Sequence, residues 1–146
     1  MYAFDAKAGS KHARASAILT AASEAGARLP LQVLGEVFAV LTRRRGWSAT
    51  DAREVVTGLI DLVPVIAASP TSLVRAMKLS ESHGVSFWDA QIAAAAAEGG
   101  CTILLSEDFQ DGRRFSAADL GRALAIVDPF EDANIPILVN AGLLAT

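Results

Sequence analysis

Short apolar runs alternate with helical segments along this chain of 146 residues. The runs span 29–33, 62–67, 102–105 and 124–127, and none of them alternates cleanly with polar residues. A strand with one wet face would show a period of two, so these runs indicate strands that are buried on both faces. The sequence therefore predicts a three-layer α/β/α sandwich with a central parallel sheet.

Five helices are predicted around these runs, at 10–25, 34–45, 50–61, 70–82 and 87–98. Their boundaries carry start and stop signals, such as Ser69 before Pro70, and Ser86 before the last of the five helices. The longest uncharged stretches, 62–74 and 133–146, contain proline and fall short of the ~18 apolar residues that a bilayer span needs. We expect a cytoplasmic protein with no membrane contact.

Charge and cysteine content narrow the classes of function. The net charge of −3 disfavours a protein that wraps duplex nucleic acid, although it does not exclude a small, metal-assisted RNA site. The single cysteine, Cys101, cannot form an internal disulfide or a zinc cluster of thiolates. It lies in an apolar region, so we predict that it belongs to the core.

Three acidic residues follow strands or lie beside inward helix faces: Glu36, Asp89 and Asp108. Each also has a purely structural interpretation. Glu36 is compatible with a half-solvated helix position, Asp89 with a capping box opened by Ser86, and Asp108 with a turn. Their joint appearance at the carboxyl ends of strands favours a shared hard-cation site, because Mg²⁺ prefers oxygen ligands.

Three blocks of sequence carry a family resemblance. They are Val33-Leu34-Gly35-Glu36-Val37, Ser86-Phe87-Trp88-Asp89-Ala90-Gln91-Ile92 and Leu104-Leu105-Ser106-Glu107-Asp108-Phe109-Gln110-Asp111-Gly112. Together they resemble successive blocks of the PIN-domain ribonucleases, and most of all the VapC-type toxins of bacterial toxin-antitoxin pairs. The resemblance runs from about Tyr2 to Phe130, which implies a PIN-like domain over 1–130 and a C-terminal apolar tail over 131–146.

The resemblance implies a metal-dependent endoribonuclease that hydrolyses RNA phosphodiester bonds with Mg²⁺ or Mn²⁺. Glu36, Asp89 and Asp108 would be the catalytic, metal-holding acids, Asp111 an auxiliary acid and Ser106 the accompanying hydroxyl. It also implies a cognate antitoxin protein and a homodimer as partners, beside the RNA substrate.

One element of the resembling pattern is absent: the first strand and the Asp that ends it. Asp5 matches a loop position beyond that strand and does not replace the missing Asp. With one metal-binding acid fewer, we expect weaker cation binding and impaired activity. One explanation is a natural chain that starts upstream of Met1. Another is that the tail, from this chain or a partner, fills the central slot through 137–144 and places Asn140 where the family has Asp. A short surface helix or strand is the alternative for the tail.

Basic and aromatic residues complete the candidates. Arg113 and Arg114 closely follow the proposed site and are candidate RNA contacts, whereas the arginines at 43–45 match a helix C-terminus. Base stacking is one role open to Phe87, Trp88 and Trp47, but most of them are predicted to be core or interface anchors. The alternative function is a non-catalytic PIN-like module for antitoxin binding or dimerisation, with its surface on helices 10–25 and 50–61.

Overall fold

The computed structural model describes residues 2–145, without the side chains of residues 2 and 6. In that part of the chain the helices are α1 (Ser10–Ala21), α2 (Leu31–Arg44), α3 (Ala49–Leu62), α4 (Pro70–His83), α5 (Phe87–Glu98), α6 (Ala117–Leu120) and α7 (Ile135–Asn140). The strands are β1 (Leu29–Pro30), β2 (Val65–Ile66), β3 (Ile103–Leu105), β4 (Arg114–Phe115) and β5 (Leu124–Val127). Short 3-10 turns occupy Tyr2–Phe4, Ala6–Ala8 and Asp132–Asn134.

The predicted helix starts at Ser69 and Ser86 are confirmed. The Ser69 hydroxyl accepts from the Ser72 amide, and the Ser72 hydroxyl donates to the Ser69 carbonyl oxygen. Pro70 lies in the first turn. Side-chain caps of this kind satisfy amides that a helix leaves unpaired at its start. These local signals suffice to place α4 and α5.

The predicted strand at 29–33 is too long, because α2 begins at Leu31. Pro30 occupies the N-cap in an extended conformation, with φ −62° and ψ 135°, and no side chain caps the helix. The helix therefore starts three residues before the predicted position of 34, and β1 keeps only Leu29 and Pro30. A helix start without Ser, Thr, Asp or Asn carries little sequence signal.

The strands form two separate sheets among the described residues. Strand β1 runs parallel to β2, and β3 runs parallel to β5, whose other edge pairs with the antiparallel β4. The predicted parallel pairing is confirmed for β1 with β2 and for β3 with β5. The antiparallel β4 was not predicted, and no described strand joins the two sheets.

Helices cover both faces of the β3–β5 pair. On β5, Leu124 and Ile126 belong to the core formed with α4, α5 and α6, whereas Val127 packs with Leu138 and Leu143 of the tail. On β3, Leu104 and its neighbours Ile103 and Leu105 divide between the same two cores. Because successive strand residues point to opposite faces, this division gives helix, sheet and helix layers, and the predicted α/β/α class is confirmed.

Helix α5 forms the centre of the first core. Ala93–Ala97 are all at most 3% exposed, and this run packs closely against α4. This stretch of α5 is apolar all round and therefore buried all round, and alanine allows the neighbouring backbones to approach. A second core of Leu34, Val37, Leu41, Ala52 and Leu59 joins α2 to α3.

The tail is helical, so the prediction that this chain's own 137–144 fills the central slot as a strand is wrong, and Asn140 ends α7 instead of replacing an Asp. Gly142 follows the helix with φ 72°, its amide donates to the Val139 carbonyl, and the Leu143 amide donates to the Leu138 carbonyl. This is a Schellman motif, in which a left-handed glycine ends the helix and two apolar side chains meet across it. The two side chains are Leu138, which is fully buried, and Leu143.

Cys101 and the apolar stretches behave as ordinary structural parts. Cys101 packs at the border of the α4–α5–α6 core, as predicted, and burial raises the pKa of its thiol. Within residues 2–145, none of the helices combines the length and the apolar character that crossing a membrane would require.

Candidate functional site

Glu36 lies on the exposed face of α2, one turn after Gln32. The Gln32 amide nitrogen donates to the Glu36 carboxylate at 2.8 Å and approaches the Trp88 carbonyl oxygen at 3.5 Å. Residues four apart on a helix are neighbours, which explains the first of these contacts. The second contact links the first turns of α2 and α5, so Glu36 lies near the segment that carries Asp89.

Asp89 sits in the first turn of α5 and is half-buried. The Ser86 hydroxyl accepts from the Asp89 amide at 3.2 Å and donates to the Asp89 carboxylate at 2.6 Å. The cap predicted at Ser86 is therefore confirmed, and the carboxylate contributes to it through the hydroxyl. An acid in the first turn is also favoured by the positive end of the helix dipole.

Asp108 belongs to the turn that follows β3. Ser106 fixes this turn, since its amide donates to the Val127 carbonyl at 3.1 Å and its hydroxyl accepts from the Phe109 amide at 3.3 Å. Phe109 is buried in the first core, whereas Asp108 is exposed. Ser106 thus holds the turn in place, and Asp108 remains accessible to solvent.

Asp111 has well-defined structural partners. One of its carboxylate oxygens accepts from the Asp128 amide at 2.8 Å and from the Asn134 side-chain amide at 2.9 Å. These hydrogen bonds hold the pKa of Asp111 below its usual value, because they stabilise the charged form. Asp111 therefore ties the turn after β3 to the end of β5 and to the start of the tail.

The candidate arginines differ in how they are held. The Arg113 guanidinium donates to the His83 carbonyl at 2.7 Å and lies 5.2 Å from the centre of the Phe115 ring. Arg114 is exposed on β4. Arg45, at the end of α2, forms an ion pair with Asp5, and Asp5 also accepts from the Lys7 amide.

A cleft of about 290 Å³ opens between the start of α2, the end of β2 and one face of α5. Its apolar walls include Pro30, Ile66 and Ile92. Gln32 and Gln91 also line it, and their side-chain oxygens are buried without a hydrogen-bond partner among the described residues. Sequence reasoning missed both glutamines because it looked for charged groups, although Gln32 precedes Glu36 by one turn and Gln91 follows Asp89 by two residues.

The profile of the PIN domain family matches residues 1–119, which is most of the chain. The chain belongs to the PIN domain family. PIN domains are in general metal-dependent nucleases that use divalent metals such as Mg²⁺. Among curated proteins, none was found to match this PIN domain.

The acids of this PIN domain suit a hard cation in chemistry, because Glu36, Asp89 and Asp108 all offer carboxylate oxygens. Their positions in the structure fit a metal site less well than their chemistry does. Across residues 2–145, no three His, Cys, Asp or Glu side chains converge closely enough to hold a metal ion. The structure brings the α2 and α5 segments together through Gln32, while Asp108 follows a strand of the other sheet.

Proposed function

We propose that the chain is a metal-dependent endoribonuclease of the VapC type, which hydrolyses phosphodiester bonds in RNA. The observation that carries this proposal is the Gln32 contact within a PIN fold. It links Gln32, the hydrogen-bond partner of Glu36, to the Trp88 carbonyl in the first turn of α5, the turn that also carries Asp89. Both acids occur in the sequence blocks that resemble VapC-type toxins.

In this proposal Glu36, Asp89 and Asp108 hold Mg²⁺ or Mn²⁺, and Ser106 keeps the Asp108 turn in position. When bound, the cation neutralises charge that develops on the phosphate and activates a water molecule. Asp111 stabilises the same turn through its hydrogen bonds with Asp128 and Asn134. Arg113 and Arg114 follow this turn directly and supply positive charge for RNA phosphates.

The separation of the acids bears on affinity. Because no preassembled trio exists in the described part of the chain, binding an ion requires the three acids to move closer together. The work of that approach weakens binding. We therefore propose a nuclease with low cation affinity, whose activity increases up to high concentrations of Mg²⁺ or Mn²⁺.

Cleavage of a fluorescently labelled single-stranded RNA in Mg²⁺ or Mn²⁺ tests the proposal. Asp89→Asn removes one anionic ligand with little change in shape, so we expect cleavage to fall by at least about tenfold. Asp61→Asn, an exposed acid at the end of α3, is the matched control and should cleave as the parent chain does. Equal cleavage by all three proteins would refute the proposed site.

A second candidate, a non-catalytic module that binds an antitoxin or a second copy, is favoured by the same lack of a converged trio. Among the described residues, α1 exposes no large apolar side chain, whereas Ile60 of α3 is 47% exposed, and Val74 and Met77 of α4 are 50% and 52% exposed. Of the two helices expected to supply the partner surface, α3 therefore exposes a large apolar side chain and α1 does not. A Mg²⁺ affinity no stronger than that of the Asp89→Asn, Asp108→Asn double variant would favour this module.

A further inference from the structure

Two exposed arginines lie at the amino ends of strands. Arg28 directly precedes β1, and Arg122 lies shortly before β5. In the parallel β3–β5 pair Ile103 is opposite Ala125, so the residues before β3 and the residues before β5 share one edge of that sheet. Asp108, in contrast, follows the carboxyl end of β3. Arg122 therefore lies at the end of the sheet that is remote from the Asp108 turn.

The end of α5 connects this edge to the start of β1. Gly99 packs so closely against Ile66 of β2 that a Cβ there would overlap the Ile66 side chain. Ile66 is in turn opposite Pro30 in the parallel β1–β2 pair. The segment from Gly99 to Cys101 therefore adjoins the start of β1 as well as the start of β5.

The charges of Arg28 and Arg122 both reach the Cys101 thiol in this segment. Burial raises the pKa of the thiol, and the two positive charges oppose that rise. Because charge effects weaken with distance, both side chains lie in the neighbourhood of one thiol. Arg75 of α4 extends this positive region. A Cβ at Gly121, the residue before Arg122, would lie 2.8 Å from Cζ of Arg75, so the guanidinium packs against that backbone.

We call Arg28, Arg75 and Arg122 the arginine edge. Within residues 2–145, none of the three has a carboxylate at ion-pair distance. One acid, Glu98, interacts electrostatically with Arg75, and its carboxylate already accepts from the Ser69 hydroxyl at 2.7 Å. Positive charges that are grouped without paired carboxylates create a potential that attracts a polyanion.

We propose that the arginine edge binds the backbone of single-stranded RNA, with separate phosphates at the separate arginines. The three side chains come from different elements, so they suit a strand that presents phosphates in series better than a single phosphate ion. The planar donors of guanidinium match phosphate oxygens. The exposed residues beside Arg28 and Arg122 are small, and they give a protein partner no large apolar anchor there: Gly100, Thr102 and Ala123.

Helix α5 relates this edge to the candidate acids. Asp89 lies in its first turn and Glu98 is its last residue, about 14 Å further along the helix axis. A strand of a few nucleotides covers that distance. RNA bound at the arginine edge could thus continue towards Asp89. The inference deepens the proposed ribonuclease function, on which it rests for its choice of RNA over other polyanions.

Binding of a fluorescently labelled oligouridine in EDTA, followed by anisotropy over a series of salt concentrations, tests the inference without cleavage. For single strands the logarithm of the affinity falls with the logarithm of the salt concentration by about 0.7 for each phosphate contact. Arg28→Gln and Arg122→Gln should therefore each reduce this slope by about 0.7. Each should also weaken binding at low salt by roughly three- to tenfold. Because both side chains are exposed, the variants should fold.

Two further variants separate a local contact from net charge and from shape. Arg53→Gln removes the same charge from an exposed position on α3, and it should keep the slope of the parent chain. Arg122→Lys keeps the positive charge, so it should also keep most of the slope, whereas a purely structural role for the guanidinium would not be rescued by lysine.

An unchanged slope in the Arg28→Gln, Arg122→Gln double variant, or an equal loss in Arg53→Gln, would overturn the RNA site. Poly-glutamate that binds as tightly as the RNA and depends on the same two arginines would overturn it in favour of an acidic protein partner. Inorganic phosphate that displaces the RNA at equal phosphate concentration would overturn it in favour of a site for the free ion.

The outcome is distinguishable from that of the cleavage experiment. Arginine-dependent RNA binding by a chain that does not cleave RNA would count against the nuclease proposal alone. Metal-dependent cleavage by a chain whose RNA binding is insensitive to Arg28→Gln and Arg122→Gln would count against the arginine edge alone.

Discussion

The two sheets of this PIN domain sit in contrasting surroundings. Around β5, α5 contributes five consecutive alanines that are almost completely buried, and Phe115, Leu120 and Ile126 are at most 2% exposed. Around β1 and β2, the cleft residues include two amide oxygens that are buried without partners among the described residues, and Leu31 in its wall is exposed. The first region satisfies its groups internally, whereas the second combines buried acceptors that lack partners among the described residues with exposed apolar surface.

The contrast indicates a division of roles between the two sheet regions of one fold. Folded proteins pair their buried polar groups, and exceptions concentrate where function requires them. We therefore expect the β3–β5–β4 region to supply most of the stability and the β1–β2 region to supply less. Three experiments with substituted proteins follow from this comparison, and they are described in order of the largest expected effect.

Truncation of a leucine in each region should give the largest difference. Leu124→Ala on β5 removes a side chain that is 2% exposed, and we expect the free energy of unfolding to fall by about 2–5 kcal/mol. Leu31→Ala removes one that is 55% exposed and should change it by about 0.5 kcal/mol or less. Urea denaturation measures both, and equal losses would contradict the division.

Gly99→Ala tests the contact between the two regions. A Cβ at Gly99, just after α5, would lie 2.5 Å from Cδ1 and 2.9 Å from Cγ1 of Ile66 on β2. Because much of the Ile66 side chain must move, we expect a loss of roughly 1–3 kcal/mol in the free energy of unfolding.

The matched control for Gly99→Ala is its combination with Ile66→Ala, which makes room for the added methyl group. The double variant should be less destabilised than the sum of the two single variants. Simple additivity would mean that the close approach at Gly99 is not what couples the sheets.

Ser116→Ala should lower the free energy of unfolding by about 1 kcal/mol at neutral pH, less than Leu124→Ala or Gly99→Ala, because Ser116 caps α6. The Ser116 hydroxyl and amide, followed by His83, hold the pKa of Asp119 below its ordinary value of 3.8. A carboxyl with a lowered folded pKa contributes stability above its unfolded value and loses it as the pH falls.

The parent chain should therefore lose stability between about pH 5 and pH 3, and Ser116→Ala should lose less over the same interval. Chemical denaturation at a series of pH values provides the measurement. Parallel pH profiles for the two proteins would show that Ser116 is not the main partner of Asp119.

The helices of the fold could be predicted where local chemistry marks them. Ser69 with Pro70, and Ser86, are start signals that act within one turn, and the structure contains both caps. Helix α2 begins at Leu31 after an uncapped Pro30, so its start gave no such signal. The tail did carry a signal for a helix end, since Gly142 with Leu138 and Leu143 forms a Schellman motif. Its spacing of apolar residues, however, was also compatible with a strand.

The candidate site was harder to predict for a physical reason. The acids occur in local motifs and can be read from the chain, but whether Glu36, Asp89 and Asp108 meet depends on how two unjoined sheets are placed. Gln32 and Gln91 carry no charge, and only the surrounding burial makes their oxygens unusual. Long-range placement, rather than residue type, decides both features.

The division into two small sheets also has a consequence for self-association. Four of the five described strands are edge strands, and an edge can pair with the backbone of another molecule. Pro30 in β1 lacks an N–H, and Arg114 gives β4 a charge, so both of these edges have a recognised protection. Strands β2, Val-Ile, and β3, Ile-Leu-Leu, have neither, and β3 is the longer of the two. Concentrated solutions of this protein should therefore aggregate through β3 first.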